Sequence, residues 1–373
     1  MKLLICASEY YPYGSGIANV AYNVVEEFKK LGIECVICSP TGPDIKIKSP
    51  EKYGRVGHLY FWYKVNKFFS RQGDEYDFVW LHNPLFLTKV PFSKCLVTIH
   101  SIQEGKTHEK DFPLHLRLYY LIASAIDNIC LNKLKKSTNV RFTAVGWGVF
   151  QGLNQIGINK TQIAHIPNGV NLSKFKPHNQ VSNNKFKFSK RDIVILSVGR
   201  LNEIKQPLKL VNLFAQMSIK MNNLTLVIAG SGELHDQVQK LVKMENLNNV
   251  KILGHVDYEE LPDLYACSDY YIITSRYEGQ PLTLLEAMAS GLKCIVSDIP
   301  NLKIIIENAN CGISIDLDDI EDATKDLVEY IRSDNDIHSI NAREYAKINF
   351  DWNKIAIKYL EEFNKLNVSS DTN

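Results

Sequence analysis

Two stretches far apart in the chain share one rhythm, and that rhythm limits the fold more than any other feature. Leu3-Leu4-Ile5-Cys6-Ala7 is an unbroken apolar run, followed by a loop over residues 8–16. Ile17, Val20, Ala21, Val24, Phe28 and Leu31 then recur at three- and four-residue spacing up to Gly32, and Cys35-Val36-Ile37-Cys38 begins a second apolar run. An unbroken apolar run suits a strand covered on both faces, and the longer spacing suits a helix laid over it. Strand, helix and strand in that order form a βαβ unit, so the sheet is expected to be parallel, with ligands at the carboxyl ends of its strands. The same alternation restarts at Ile193-Val194-Ile195-Leu196-Ser197-Val198, and 373 residues suffice for two domains with separate cores. The polar stretch 176–191, rich in Asn, Lys and Ser, is the expected linker.

The most informative segment follows the run Asp269-Tyr270-Tyr271-Ile272-Ile273-Thr274. It reads Ser275-Arg276-Tyr277-Glu278-Gly279-Gln280-Pro281-Leu282-Thr283-Leu284-Leu285-Glu286-Ala287-Met288-Ala289. Pro281 suits the first position of a helix, and Leu282, Leu285, Met288 and Ala289 fall on one face. Strand, short loop and helix start make an anion site, because free backbone N–H groups and a partial positive charge meet there. Glu278 would stand beside whatever occupies that mouth, and Glu286 could accept hydrogen bonds from vicinal hydroxyls such as those of a ribose. In isolation the two acids read equally well as a dipole partner and an ordinary surface residue.

Taken together, these residues resemble the motif of the retaining glycosyltransferases of family four, also called the group 1 type, which have the GT-B fold. The resemblance implies an α/β architecture of two Rossmann-like domains with parallel sheets facing a central cleft, and a C-terminal helix crossing back to the first domain. It divides the chain into an acceptor-binding domain over 1–176, a nucleotide-sugar-binding domain over 177–350, and a returning helix and tail over 351–373. It implies that Glu278 lies beside the donor sugar, that Gly279, Gln280, Pro281 and Leu282 bind donor diphosphate and sugar hydroxyls, and that Glu286 holds the ribose. Arg200 and Lys205, after the strand at 193–198, match a cation pair that holds the diphosphate. A departing phosphate needs fixed positive charge, which those side chains supply without a metal. Gly230 and the pair His255-Val256 match segments near the nucleotide and its base. Gly14 and Gly16 match a loop that closes over the phosphates, and His100, ending Thr98-Ile99-His100, matches a histidine that reaches donor sugar or acceptor. Asn171 replaces the aspartate of the family's Pro-Asn-Gly-Val-Asp, and Gly146 replaces a serine.

Other readings of single features are weaker. Gly14-Ser15-Gly16 is not a dinucleotide fingerprint, since Asn19 stands where a third glycine belongs. Cys35-x-x-Cys38 lies in a strand that sends its side chains to opposite faces, so the eight cysteines are expected to be small buried groups. Asp316-x-Asp318 has metal-type spelling but comes late in the chain. No cofactor and no metal are expected.

The net charge is +2, yet residues 1–180 hold 22 Lys+Arg against 13 Asp+Glu and the remainder 21 against 28. The basic half suits an anionic or lipid-linked partner. No apolar run approaches the ~20 residues of a membrane span. The expected location is the cytoplasm, with peripheral contact at the inner membrane face through the basic domain. The expected partners are a nucleotide-diphosphate-sugar donor and a glycan, lipid-linked or small-molecule acceptor, with no nucleic acid. Two rivals use the same scaffold: a nucleotide-sugar epimerase, and a binding subunit without catalysis.

Overall fold

The computed structural model describes residues 1–11, 16–49, 54–70, 75–103, 112–137, 139–177, 186, 188, 192–333 and 336–368. Gly14 and most of the expected linker lie outside them. The chain divides into two compact units, Met1–Gly169 with Trp352–Asn373, and Val170–Asp351.

The first unit is built on β1 (Lys2–Ala7), β2 (Glu34–Ser39), β3 (Ile45–Lys46), β4 (Phe78–His82), β5 (Cys95–Ile99), β6 (Val140–Ala144) and β7 (Ile163–His165). These described strands are all parallel, in the order β3-β2-β1-β4-β5-β6-β7. Helices α1 (Gly16–Lys30), α2 (Gly54–Phe69), α3 (Leu114–Leu134) and α4 (Trp147–Gln155) make the connections. Every residue of β4 and β5 is buried, as their unbroken apolar sequences require of strands covered on both faces. In α1 the periodic face is buried from Ala18 to Phe28, but Leu31 falls beyond the helix end and is exposed.

The second unit repeats the plan with β8 (Ile193–Val198), β9 (Leu224–Ala229), β10 (Val250–Gly254), β11 (Tyr270–Ile273), β12 (Lys293–Ser297) and β13 (Gly312–Ile315). Their order is β10-β9-β8-β11-β12-β13, again parallel throughout. The helices are α5 (Pro207–Lys220), α6 (His235–Met244), α7 (Leu261–Ala266), α8 (Leu282–Ala289), α9 (Pro300–Ala309), α10 (Ile320–Ser333) and α11 (Ile337–Asn349). Pro281 caps α8 from outside rather than opening it, with φ −73° and ψ 126°. Residues 284–289 are all buried, not one face only, because α11 covers the helix from behind. Arg343 of α11 donates to Ala289 O at 2.5 Å and to Phe175 O at 2.7 Å.

After the second unit the chain returns to the first as α12 (Trp352–Val368). Ile355, Ala356, Tyr359, Phe363 and Leu366 recur at helical spacing and are buried. Tyr359 lies 4.7 Å from the Trp80 ring of β4, and Phe363 packs on Phe28 and Phe78. Glu362, nearly inaccessible, accepts from Arg141 of β6 at 2.7 and 2.8 Å. Gly169 makes this return possible, since a side chain there would meet the Trp352 ring at 2.4 Å.

In both sheets the chain runs outward on one side of the first strand and then restarts on the other. That reversal lies between β1 and β4 in one unit and between β8 and β11 in the other. At such a point adjacent connections leave in opposite directions and open a crevice at the strands' carboxyl ends.

Candidate active site

The crevice of the second unit gathers the cations and acids singled out in the sequence. The loop after β8 carries Arg200 and Lys205, and the loop after β11 carries Glu278. Backbone bonds tie the two loops together: Arg276 N donates to Ile204 O at 2.8 Å, and Thr274 Oγ1 to Lys205 O at 2.9 Å. Gln206, with its amide turned so that nitrogen donates to Thr274 O, accepts from the Arg276 guanidinium at 3.0 and 3.2 Å. Lys205 Nζ forms an ion pair with Glu278 Oε1. Ser275 Oγ donates to the same oxygen at 2.6 Å, and Asn301 Nδ2 of α9 donates to Glu278 O at 2.6 Å. Glu278 is thus fixed from the loop after β8, from its own loop and from α9, so its carboxylate is not free to wander. Arg200 is exposed, its guanidinium without a protein partner among the described residues. A crevice opens between the ends of β8 and β11, lined by Gly199, Arg200, Lys205, Thr274 and Ser275 among others.

Behind that space lies α8. Gly279 and Leu282 are half-buried, and Gln280 and Pro281 are buried. Glu286 is 6% exposed, which excludes the ordinary surface acid. Tyr265 of α7 donates to Glu286 Oε2 at 3.1 Å and to Thr283 O at 3.1 Å. Burial pushes the Glu286 carboxyl up to about 7, against the opposing pull of the Tyr265 hydrogen bond and the Lys174 charge. A group so placed is half-ionised near neutrality and gains most from hydrogen-bond donors that arrive with a ligand.

Gly230 has a structural reason of its own. With φ +147°, its missing side chain would collide with Gly199 O at 1.8 Å. The loops after β8 and β9 therefore touch backbone to backbone, and that contact shapes the floor below Arg200. Val256 is half-buried and packs against the core, whereas His255 is exposed beside Asp257 at 3.5 Å. Both follow β10 at the sheet edge, two strands away from β8. Asp318 pairs with Lys209 at 2.7 Å, and Asp316 accepts from the Asp318 N–H at 2.9 Å, so this acidic pair closes a turn. Asn171, in the place of the expected aspartate, also closes a turn, accepting from Ser173 N and Lys174 N at 3.1 and 3.0 Å. The eight cysteines are free thiols.

In the first unit, Gly16 is the exposed first residue of α1. His100, just past β5, is half-buried, and its Nε2 lies 3.0 Å from Nδ1 of fully buried His82. His82, a strand-ending histidine with at most an acceptor-side role in the sequence, is thus the partner of His100, a pairing the sequence did not disclose. Burial lowers the pKa of both imidazoles, so both are neutral at pH 7. Asn83, with φ 45°, accepts from the His100 backbone N–H at 2.8 Å and fixes the strand end. Tyr265, Ser275 and Asn301 were likewise not foreseen. Only Ser275 left a signal, its place three residues before Glu278.

Residues 178–348 match the family described as glycosyl transferases group 1, and residues 14–174 match glycosyltransferase family 4. The chain belongs to the group 1 glycosyltransferases. A UDP-Gal:alpha-D-GlcNAc-diphosphoundecaprenol alpha-1,3-galactosyltransferase of Escherichia coli is 30% identical over 245 residues, 63% of this chain and 59% of that protein. Other curated relatives are matched over 41% and 54% of their length, so the chain spans about half of the proteins it resembles. Among solved structures, sucrose-phosphate synthase of Thermosynechococcus elongatus superposes with TM-score 0.79 at 19% identity, covering 99% of both chains. WaaG, a glycosyltransferase involved in lipopolysaccharide biosynthesis, gives 0.75 at 16% identity over 96% of this chain and 98% of that one. These neighbours establish the GT-B fold, two parallel-sheet α/β units.

Proposed function

We propose that the protein transfers a hexosyl group from a nucleotide-diphosphate-sugar to a hydroxyl of a glycan, lipid-linked or small-molecule acceptor, with retention of anomeric configuration. One observation carries the reading: Arg200 and the Lys205–Glu278 ion pair meet at the β8/β11 crevice, with α8 starting from the same loop. The bond from the sugar's anomeric carbon to the diphosphate breaks, and Arg200, Lys205 and the backbone N–H groups of Gly279, Gln280 and Leu282 take up the charge that develops on the leaving oxygen. Pro281, in the same turn, has no N–H to offer. The new bond forms to the acceptor oxygen, whose proton passes to the departing phosphate. Glu278, held in place by Ser275 and Asn301, orients the sugar hydroxyls. Glu286 accepts hydrogen bonds from the ribose. Fixed side-chain cations supply the positive charge, so transfer is expected to persist in EDTA. The donor chemistry of the Escherichia coli relative, a UDP-sugar transferase, supports testing uridine nucleotides first.

The test is thermal stability against UDP-, GDP-, ADP- and CMP-sugars. A ligand at 100 times its Kd raises stability by about 2.7 kcal/mol, a visible shift. A shift with one nucleotide class, lost in Glu286→Ala, supports the reading; no shift with any overturns it. Binding without transfer to any acceptor would assign the protein as a binding subunit, and interconversion of the donor sugar would assign an epimerase.

The first unit also carries surface suited to an anionic lipid interface. In α3, Leu114, Leu118, Leu121, Ile122 and Ile129 form an exposed stripe at helical spacing, flanked by Arg117 and Lys133. In α2, Val56, Tyr60, Tyr63 and Phe68 are exposed near Lys67. Apolar insertion with basic flanks favours phosphatidylglycerol vesicles over phosphatidylcholine, in a salt-sensitive way. Co-sedimentation with both vesicle types checks this. Equal binding to both, or none, removes the membrane contact from the reading.

A further inference from the structure

At the carboxyl ends of β4 and β5, two histidines meet through a single proton position. Parallel register sets His82 beside Thr98, and His100, two residues further, falls on the same side. The left-handed turn at Asn83 and its bond to the His100 N–H hold the two strand ends in place. His100 Nε2 lies 3.0 Å from His82 Nδ1, with the ring planes 19° apart. The ring centroids are 5.3 Å apart, which exceeds the nitrogen separation by roughly a ring radius at each end. The rings therefore meet edge to edge, each nitrogen aimed at the other. Their chain neighbours Asn83, Ile99 and Ser101 line a pocket together with Ser8 and Asp127.

Burial keeps both rings neutral, so each carries one N–H and one bare nitrogen. One N–H fills the contact, and two arrangements supply it. If His100 Nε2 donates, His82 carries its own proton on Nε2, an atom that is covered and has no partner among the described residues. If His82 Nδ1 donates, its Nε2 is bare and only a lone pair goes unmet. An orphaned N–H is the rarer feature of protein interiors. The half-buried His100 ring meets water in either arrangement, so the covered nitrogen of His82 decides.

We propose that His82 is a positioning residue that keeps the His100 proton on Nδ1, so that His100 meets the substrate as a hydrogen-bond donor and not as a base. The Nε2 lone pair of His100 is spent on His82, and its Nδ1 carries the proton, so the ring has no nitrogen left to take another. The acceptor's proton then has no imidazole to go to, in accord with its passage to the departing phosphate. That consequence rests on the proposed transfer reaction. The proton position does not, and the experiment separates the two.

Nitrogen NMR on the full chain, with its histidine rings isotope-labelled, distinguishes a protonated from a bare ring nitrogen. Signals are assigned by their loss in His82→Phe and His100→Asn. The expected pattern is a protonated Nδ1 and a bare Nε2 in both rings, and a proton on His100 Nε2 in the unmodified protein would overturn the proposal. In His82→Phe the His100 ring should drift to a mixture of tautomers, which a merely structural loss does not produce. An unchanged His100 pattern there would also overturn it. His82→Asn returns an amide N–H close to the place of Nδ1. It should restore the His100 pattern and hold kcat within about threefold of the unmodified protein, against a loss of about tenfold in His82→Phe. An Asn variant no better than the Phe variant would count against the hydrogen bond. His100→Asn keeps a donor near Nδ1 and should lower kcat by no more than about tenfold. A fall of about 10²–10⁴, the range for losing a general acid or base, would assign His100 as the base and overturn the proposal. A melting-point shift with the preferred nucleotide shows that each variant folds. Absence of transfer to every acceptor in the unmodified protein would overturn the proposed function alone, since the ring spectrum needs no substrate.

Discussion

The two crevices are the same piece of topology filled with opposite chemistry. Each lies where a parallel sheet reverses direction, and each collects side chains from the loops after its central strands. In the second unit these are Arg200, Lys205 and an anchored Glu278. In the first they are Asn83 and His100, with His82 at the end of β4 behind them and Asp127 facing them from α3. A parallel α/β sheet decides where a ligand can sit, and the loop side chains decide its charge. Positive charge in the second crevice suits a diphosphate.

Several measurements would break or sharpen that contrast. Lys205→Ala removes a fixed cation and leaves Glu278 facing the diphosphate, so kcat should fall by about 10²–10³-fold, the range for losing one preorganised charge partner. Single-turnover kinetics would check it, and a fall of only a few-fold would mean that the cationic crevice is not where charge develops.

Glu362→Ala tests whether the first unit depends on the returning helix while the second does not. It strips Arg141 of its partner on a largely covered face, and roughly 3 kcal/mol of stability should be lost. Denaturant unfolding would measure the loss, while nucleotide binding to the folded protein should be retained.

On the proposed role of Glu286, donor binding should depend on pH. Its folded pKa of about 7 exceeds the ordinary carboxyl value, so the unfolded chain ionises first as pH rises. Stability should therefore decline between about pH 4.5 and 7 and level off above, and Glu286→Gln should flatten that decline. Nucleotide affinity runs the other way, rising through pH 7 as the carboxylate that accepts ribose hydroxyls is formed. Isothermal titration at pH 6 and 8 would check both sign and variant. The first crevice should show no such trend, because its two imidazoles stay neutral.

The smallest effect is expected at His82. His82→Phe keeps an aromatic ring in the core but removes the hydrogen bond that holds His100 Nε2. A loss of about tenfold in kcat, with donor affinity unchanged, would identify His82 as a positioning residue. An unchanged kcat would leave it a core residue.

Much of this arrangement could be read directly from the chain. Apolar runs and helical spacing gave the parallel α/β alternation, and the family resemblance of 275–289 and of 199–207 pointed to Glu278, Glu286, Arg200 and Lys205. Local pattern was less informative where an element is covered twice. In α8 the spacing suggested one buried face, whereas α11 buries residues 284–289 throughout. In α3 the apolar spacing does not say which residues are covered, and the structure leaves Leu118, Leu121 and Ile122 exposed.

The sequence by itself determined the alternation of strands and helices, the chain's family, and the chemical type of the residues at the second unit's crevice. These depend on periodicity and on residues close together in the chain. Only the tertiary structure decided that His82 faces His100, that Tyr265 holds Glu286 in a dry position, and that Asp127 reaches the pocket beside Asn83 and Ser101. Each of those meetings joins segments separated in sequence, through strand neighbours or through a helix laid across them. Sheet order brings such residues together, and a one-dimensional pattern does not encode sheet order.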